Sequence, residues 1–259
     1  RRLTLEKSKR RPQIGLVKTP FEVTRDLVAK DFLQPLNGIK DSLVVIDHLA
    51  EYHQLATGLG YVDGLPYYIP RKLETRIFFY RPSKVSDAHE KFGAYKDKID
   101  AQLKAQNGYG LPAGYEFEAD PAQWDFYDLY VVGHIWANET YNDVKMGRMA
   151  HRGARYEGTA LMLVDRALQL GADHEGVLSL KSNAVTETFL WENVFVRNSM
   201  YNPGMWQDPW RGANIYNGIK DGKVFCAFLQ QIDCFLVHGW QDDPGMPSYL
   251  PQDGRSEER

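Results

Sequence analysis

Apolar positions in this chain recur mostly at helical spacing. Over 21–34, Phe21, Val23, Leu27, Val28, Phe32 and Leu33 follow a 3.6-residue pattern that Pro35 and Asn37-Gly38 end. A second helix is predicted from 41 to about 57. Asp41 is its expected N-cap, Leu43, Val44, Ile46, His48, Leu49 and Leu55 lie along it, and Gly58 and Gly60 stop it. The Gly-, Pro- and Tyr-containing stretch 61–70 reads as a loop. Residues 73–80 carry the run Ile77, Phe78, Phe79, Tyr80, the one good strand candidate, with no clear second strand to pair it. Ser86 and Asp87, followed by Glu90, open a charged, solvent-facing helix that runs to about 106.

The second half is read as strongly helical, with helices near 124–149, 155–170, 175–200 and 222–238. The last is apolar around most of its circumference, the pattern of a buried helix. Two connectors separate these elements. One is the Gly/Pro/Tyr-rich 107–122, and the other is the aromatic loop 202–217 with Trp206, Trp210 and Tyr216. The predicted fold is therefore mainly α: an irregular helical domain with long aromatic Pro/Gly-rich loops and at most a small β element near 73–80. Its divisions are a basic N-terminal extension (1–19), an N-terminal helical region (20–106), a C-terminal helical region (107–239) forming one domain with it, and a C-terminal extension (240–259).

Composition narrows the class. The 259 residues are 43% hydrophobic and 25% charged, as in an ordinary globular chain able to bury a sizeable core. Lys plus Arg number 31 against 34 Asp plus Glu, a net charge of −3, which argues against a dedicated nucleic-acid binder. No apolar stretch reaches the roughly 20 residues a membrane-spanning helix needs. Cys226 and Cys234 are too few for a disulfide scaffold. Eight residues apart on one helix, their Cα atoms would lie roughly 12 Å from each other, too far to pair. They read as buried thiols in a reducing compartment. The chain starts without Met and has a basic first segment with Arg1, Arg2, Lys7, Lys9, Arg10 and Arg11 against Glu6. That pattern is what a trimmed organellar targeting segment leaves, mitochondrion ahead of plastid, with a cytoplasmic location as the alternative.

The sequence carries few chemical motifs. None of the seven histidines has a Glu three positions before it, and the zinc spacings are absent. On a helix Glu51 can neighbour His48, whereas the five-residue offset turns His53 away. His134, Glu139, Glu157 and Glu187 lie in otherwise apolar helical segments and could assemble a metal site between helices; no motif implies a particular cofactor. There is no Gly-x-Ser-x-Gly elbow, dinucleotide fingerprint or Walker loop. Asn138-Glu139-Thr140 is formally a sequon, in a helical apolar stretch where chance explains it.

Two functions follow as expectations. The first is a non-catalytic accessory or structural subunit of a large multiprotein assembly, an organellar bioenergetic membrane complex. It would have no transmembrane segment of its own and would lie peripheral to that complex. Its contacts to other protein subunits would run through Arg1, Arg2, Arg10, Arg11, Trp206, Trp210 and Tyr249. The alternative is a mainly helical enzyme with an interhelical pocket, a metal-dependent oxidoreductase using His134, Glu139, Glu157 and Glu187.

Overall fold

A computed structural model describes residues 14–19, 23–71, 76–155, 157–230 and 248–249, and of Glu157, Ser248 and Tyr249 the backbone alone. The chain divides into two units, 1–73 and 74–259. In the first, the helix expected over 21–34 is the shorter α1 (Thr24–Ala29), stopped by Asp31 in a left-handed conformation at φ 52°. The helix expected over 41–57 is two, α2 (Ser42–Ala50) and α3 (Gln54–Leu59). Between them the chain extends at His53, whose ring accepts from the Leu55 N–H at 3.3 Å and so caps α3. Asp41 does precede α2, but at φ 60° its side chain makes no capping bond. Where a loop was expected, β1 (Tyr61–Val62) and β2 (Leu65–Pro66) form a hairpin. Its turn is made by Asp63 and Gly64 at φ 51° and 77°, the geometry that suits a two-residue hairpin.

The second unit is built on a sheet larger than the sequence implied. Strand β3 (Arg76–Tyr80) pairs antiparallel with a strand from the far end of the chain, and the sheet's order is β6-β7-β3-β8. Here β6 is Met149–Ala150, β7 is Cys226–Gln230 and β8 is Ser248–Tyr249. Strands β6 and β7 are parallel, the other pairs antiparallel. The helix expected over 222–238 is thus a strand over its described part, and Cys226 lies in it; Cys234 lies outside the described residues. The physical reason is that four of the five residues of β7 are apolar, and a short apolar run reads alike as a strand or as part of a buried helix. The helix-based spacing between the two cysteines falls with it.

Helices dominate the rest of the unit. α4 (Pro82–Asn107) begins earlier than expected, with Pro82 in its first turn where the missing N–H costs nothing, and ends at Gly108, φ 84°. α5 (Phe126–Ala137) starts on a capping box: Asp125 accepts from the Asp128 N–H at 3.1 Å and Asp128 from the Asp125 N–H at 3.0 Å. It does not continue to 149. The chain turns instead through the hairpin β4 (Thr140–Tyr141) and β5 (Val144–Lys145) on left-handed Asn142 and Asp143, then enters β6. α6 (Glu157–Gln169) matches the helix expected over 155–170. The one expected over 175–200 is broken by left-handed Leu180 into α7 (His174–Ser179) and α8 (Asn183–Arg197), the latter capped by Ser182. The predicted aromatic loop contains α9 (Gly204–Gln207) and α10 (Gly212–Lys220).

The chain is therefore mainly helical, with a four-stranded sheet in place of the small β element expected. Its core joins Ile77 and Phe79 of β3, Ala227 and Leu229 of β7, Ile99 and Leu103 of α4, Ile135 and Trp136 of α5, and Phe195 of α8. Burial of each large side chain among these stabilises by about 1.5–3 kcal/mol. Two glycines let the backbone after α8 lie against β6. A Cβ at Gly147 would meet the Tyr201 carbonyl oxygen at 2.3 Å, and one at Gly153 the Met205 carbonyl oxygen at 2.0 Å.

Candidate functional site

The carboxyl ends of β6 and β7 and the start of β3 meet at one end of the sheet. Arg76 stands opposite Gln230 and Phe78 opposite Phe228 in the β3/β7 register. The two-residue repeat of a strand sends these four side chains to one face while Ile77, Phe79 and Leu229 go to the buried one. The Phe78 ring lies 5.0 Å from Phe228 and 5.8 Å from Trp124, and all three rings are half-buried, which makes an aromatic floor. Polar groups rim it. Arg76 Nη1 donates to Asp165 Oδ2 at 2.6 Å, and Arg152 Nη2 donates to Gln230 Oε1 at 2.9 Å. The Arg76 and Asp165 side chains are 21% and 38% exposed. Burial pushes the Asp165 carboxyl up and the Arg76 charge opposes it.

Beneath the rim lies a buried ionic network. Arg166 follows Asp165 on α6 but faces inward, its guanidinium 4.8 Å over the Phe228 ring and within 6 Å of Phe126 and Phe195. Its Nη1 donates to Glu192 Oε2 at 2.6 Å, and both Nη atoms donate to the Tyr201 hydroxyl at 3.2 Å. That hydroxyl donates in turn to Glu192 Oε2 at 2.8 Å. His151, where the chain leaves β6, meets Glu192 Oε1 through Nε2 at 2.7 Å and the Arg152 carbonyl through Nδ1 at 2.8 Å.

Burial pushes the Glu192 carboxyl up, but hydrogen bonds and charges from His151, Arg166 and Tyr201 overcome it and hold the group down at about 2. Burial likewise lowers Arg166, and Tyr201 and Glu192 more than restore it. The Tyr201 phenol is pushed far up, chiefly by burial, and stays neutral. The network ties α6, α8, the exit of β6 and the segment at Tyr201 into one support for the aromatic floor. The three rings are inclined to one another, Phe78 at 49° to Phe228 and 66° to Trp124, and side chains of this kind with donors and acceptors beside them suit a molecule with apolar faces and polar edges.

The residues singled out from sequence lie elsewhere for the most part. His134 is buried on α5, bonded to Gln102 and drawn down to about 4 by burial and by the Lys98 charge. Glu139 accepts from Lys91 at 3.0 Å, and Glu187 accepts from the Trp191 indole at 3.4 Å. Glu157 opens α6. No three His, Cys, Asp or Glu among the described residues come close enough to hold a metal ion. In the first unit Glu51 does neighbour His48, at 3.0 Å, as the helical spacing required. Trp206 is exposed with its ring 5.4 Å from His151, and the Trp210 carbonyl accepts from Gly153 and Ala154. The Tyr249 backbone pairs with Phe79, while Arg1, Arg2, Arg10 and Arg11 lie outside the described residues. Sequence reasoning missed Arg76, Asp165, Arg166 and Tyr201. One signal was available: Arg166 sits four residues after Met162 on the apolar stripe of its helix, where a charge requires a buried partner.

No protein-family model matches the chain, and no curated protein sequence does. Solved structures share its fold, two of them as follows. One is maltose-bound MalE3 of T. maritima, with a TM-score of 0.57 at 15% identity over 85% of this chain and 47% of that one. The other is the GacH receptor of Streptomyces glaucescens GLA.O, solved unliganded and with acarbose, with a TM-score of 0.53 at 15% identity over 89% and 50%. The chain thus spans about half the length of each. This likeness overturns the expectation of an accessory subunit of an organellar bioenergetic complex, because the molecules that share the fold are a maltose-bound protein and a receptor. That expectation rested on absent motifs, a basic first segment without Met and aromatic Pro/Gly-rich loops, none of which reports on fold. No helix among the described residues is long and apolar enough to cross a membrane.

Proposed function

We propose that this chain is part of a solute-binding receptor for a carbohydrate, which it holds reversibly on the Arg76 end of its sheet. The observation that carries the reading is the fold shared with a maltose-bound protein and an acarbose-binding receptor across 85% and 89% of this chain. The chemistry of the site supports it. A pyranose ring has an apolar C–H face, which suits aromatic side chains such as Phe78 and Trp124, and a perimeter of hydroxyls, which suits planar polar side chains such as Arg76, Asp165 and Gln230. The buried network contributes rigidity, which lowers the cost of ordering the site on binding.

Isothermal titration calorimetry against maltose, cellobiose, lactose and sucrose tests the reading. Saturable one-site binding of at least one of them is expected, with a loss of about ten-fold or more in Phe228→Ala. A wild-type chain that takes up none of the four would overturn it.

A further inference from the structure

Three Asn-Gly pairs occur in the chain: Asn37-Gly38, Asn107-Gly108 and Asn217-Gly218. Such a pair carries its own chemistry. Glycine has no Cβ to shield its backbone nitrogen, so that nitrogen can attack the side-chain amide carbon of the Asn before it. The structure leaves the three pairs very unequal freedom to react.

Asn217 and Gly218 lie inside α10, where Gly218 is buried and an added Cβ would meet Val224 and Trp210 at 3.0 and 3.4 Å. The Gly218 carbonyl accepts from the Lys223 and Val224 N–H groups at 2.8 and 3.1 Å. Asn107 closes α4 with its side chain occupied: Oδ1 accepts from the Tyr109 and Gly110 N–H groups at 2.8 and 2.9 Å. The Gly108 N–H is itself held by the Lys104 carbonyl at 2.9 Å. Asn37 and Gly38 are held by much less. With Leu36 they form a single 3-10 turn between α1 and α2; both are exposed, and the Asn37 side chain bonds to no described residue. A Cβ at Gly38 would meet nothing within 4 Å. Two bonds close the turn, from the Gly38 N–H to the Pro35 carbonyl at 3.2 Å and from the Ile39 N–H to the Leu36 carbonyl at 3.4 Å. Long, exposed bonds in so short a turn open at little cost.

We infer that Asn37 is a modification site, at which the folded chain deamidates through a cyclic imide with Gly38. The Gly38 nitrogen gives its proton to hydroxide and bonds to the Asn37 side-chain carbon. The bond from that carbon to the amide nitrogen breaks, and the nitrogen leaves as ammonia with a proton from water. Water then opens the imide at either carbonyl, giving an aspartyl or an isoaspartyl linkage at this position. Nothing is oxidised or reduced. Each event adds one negative charge to a net charge of −3, and the isoaspartyl form also lengthens the main chain between α1 and α2.

The test is incubation of the folded full chain at about pH 8 and 37 °C, with peptide mass spectrometry of all three pairs and fragmentation that separates aspartate from isoaspartate. Conversion at Asn37 is expected to run about ten-fold or more ahead of that at Asn107 and Asn217. In denaturant the three should convert at similar rates, because the contacts that distinguish them are gone. Gly38→Ala gives a second check. Gly38 is not left-handed and its Cβ position is open, so the variant keeps the turn. Its added Cβ should slow conversion at Asn37 by about ten-fold. Conversion in the folded chain as fast at Asn107 or Asn217 as at Asn37 overturns the inference. So does a ranking unchanged in denaturant, or a rate at Asn37 unchanged in Gly38→Ala.

Discussion

Replacing Glu192 by Gln removes the one anion to which His151, Arg166 and Tyr201 all point. The magnitude follows from linkage. The carboxyl sits at about 2 in the folded chain against an ordinary value of 4.5. At 1.36 kcal/mol per unit, its ionised form contributes about 3 kcal/mol to stability at neutral pH. Burial is deep enough, with the side chain 14% exposed, that solvent screening takes little from this figure. Gln keeps the shape but leaves Arg166 buried without its counter-charge, so a loss of about 3–5 kcal/mol is expected at pH 7.

The sign of the pH dependence is fixed by the depressed value. The contribution is fully present above about 4.5 and fades as pH falls toward 2, because protonation then converts the native carboxylate into a neutral group. Denaturant unfolding of both proteins at pH 7, 5, 4 and 3 measures the difference between them, so that other carboxylates cancel. That difference should be several kcal/mol at pH 7 and shrink steadily below pH 4.5. A difference under about 0.5 kcal/mol, or one that stays constant with pH, would refute the argument that this anion organises the site.

Gly153→Ala would drive a Cβ to 2.0 Å from the Met205 carbonyl oxygen, a backbone atom that cannot step aside, so the variant should lose several degrees of melting temperature. A melting temperature within a degree of wild type would contradict that contact. His134 should remain neutral down to about pH 4, its ring held from protonation first by burial and then by the Lys98 charge. Its folded value is depressed for a base, so the unfolded chain takes up the proton first and stability falls as pH drops from about 6.5 toward 4. NMR titration reads this directly: the His134 ring signals should hold still between pH 8 and 5, and a midpoint near 6.5 would disprove it.

The parts of the fold legible from sequence are those fixed by local chemistry. The long helix α4 could be seen in its charged pattern, the strand at 76–80 in its aromatic run, and the His48–Glu51 contact in its three-residue spacing. What was lost is what only tertiary contact decides. Cys226–Gln230 is apolar at nearly every position, and only its place between two other strands makes it a strand. Leu180 and Asn142 take left-handed conformations that break apparent helices without a glycine to announce them. The site is least legible of all. Arg76, Asp165 and the Glu192–Tyr201 pair come from three distant stretches of chain, and no motif relates them. Only the buried position of Arg166 within an apolar stripe carried a trace of it in the sequence.

The central claim is that a saccharide occupies the Arg76 end of the sheet. Two-dimensional NMR of the labelled chain, titrated with the tightest-binding of the four disaccharides, locates the ligand most directly. The account predicts amide shifts concentrated at Arg76, Phe78, Trp124, Asp165, Phe228 and Gln230, with the region of Lys91 and Glu139 unmoved. Shifts centred away from those six residues would contradict it.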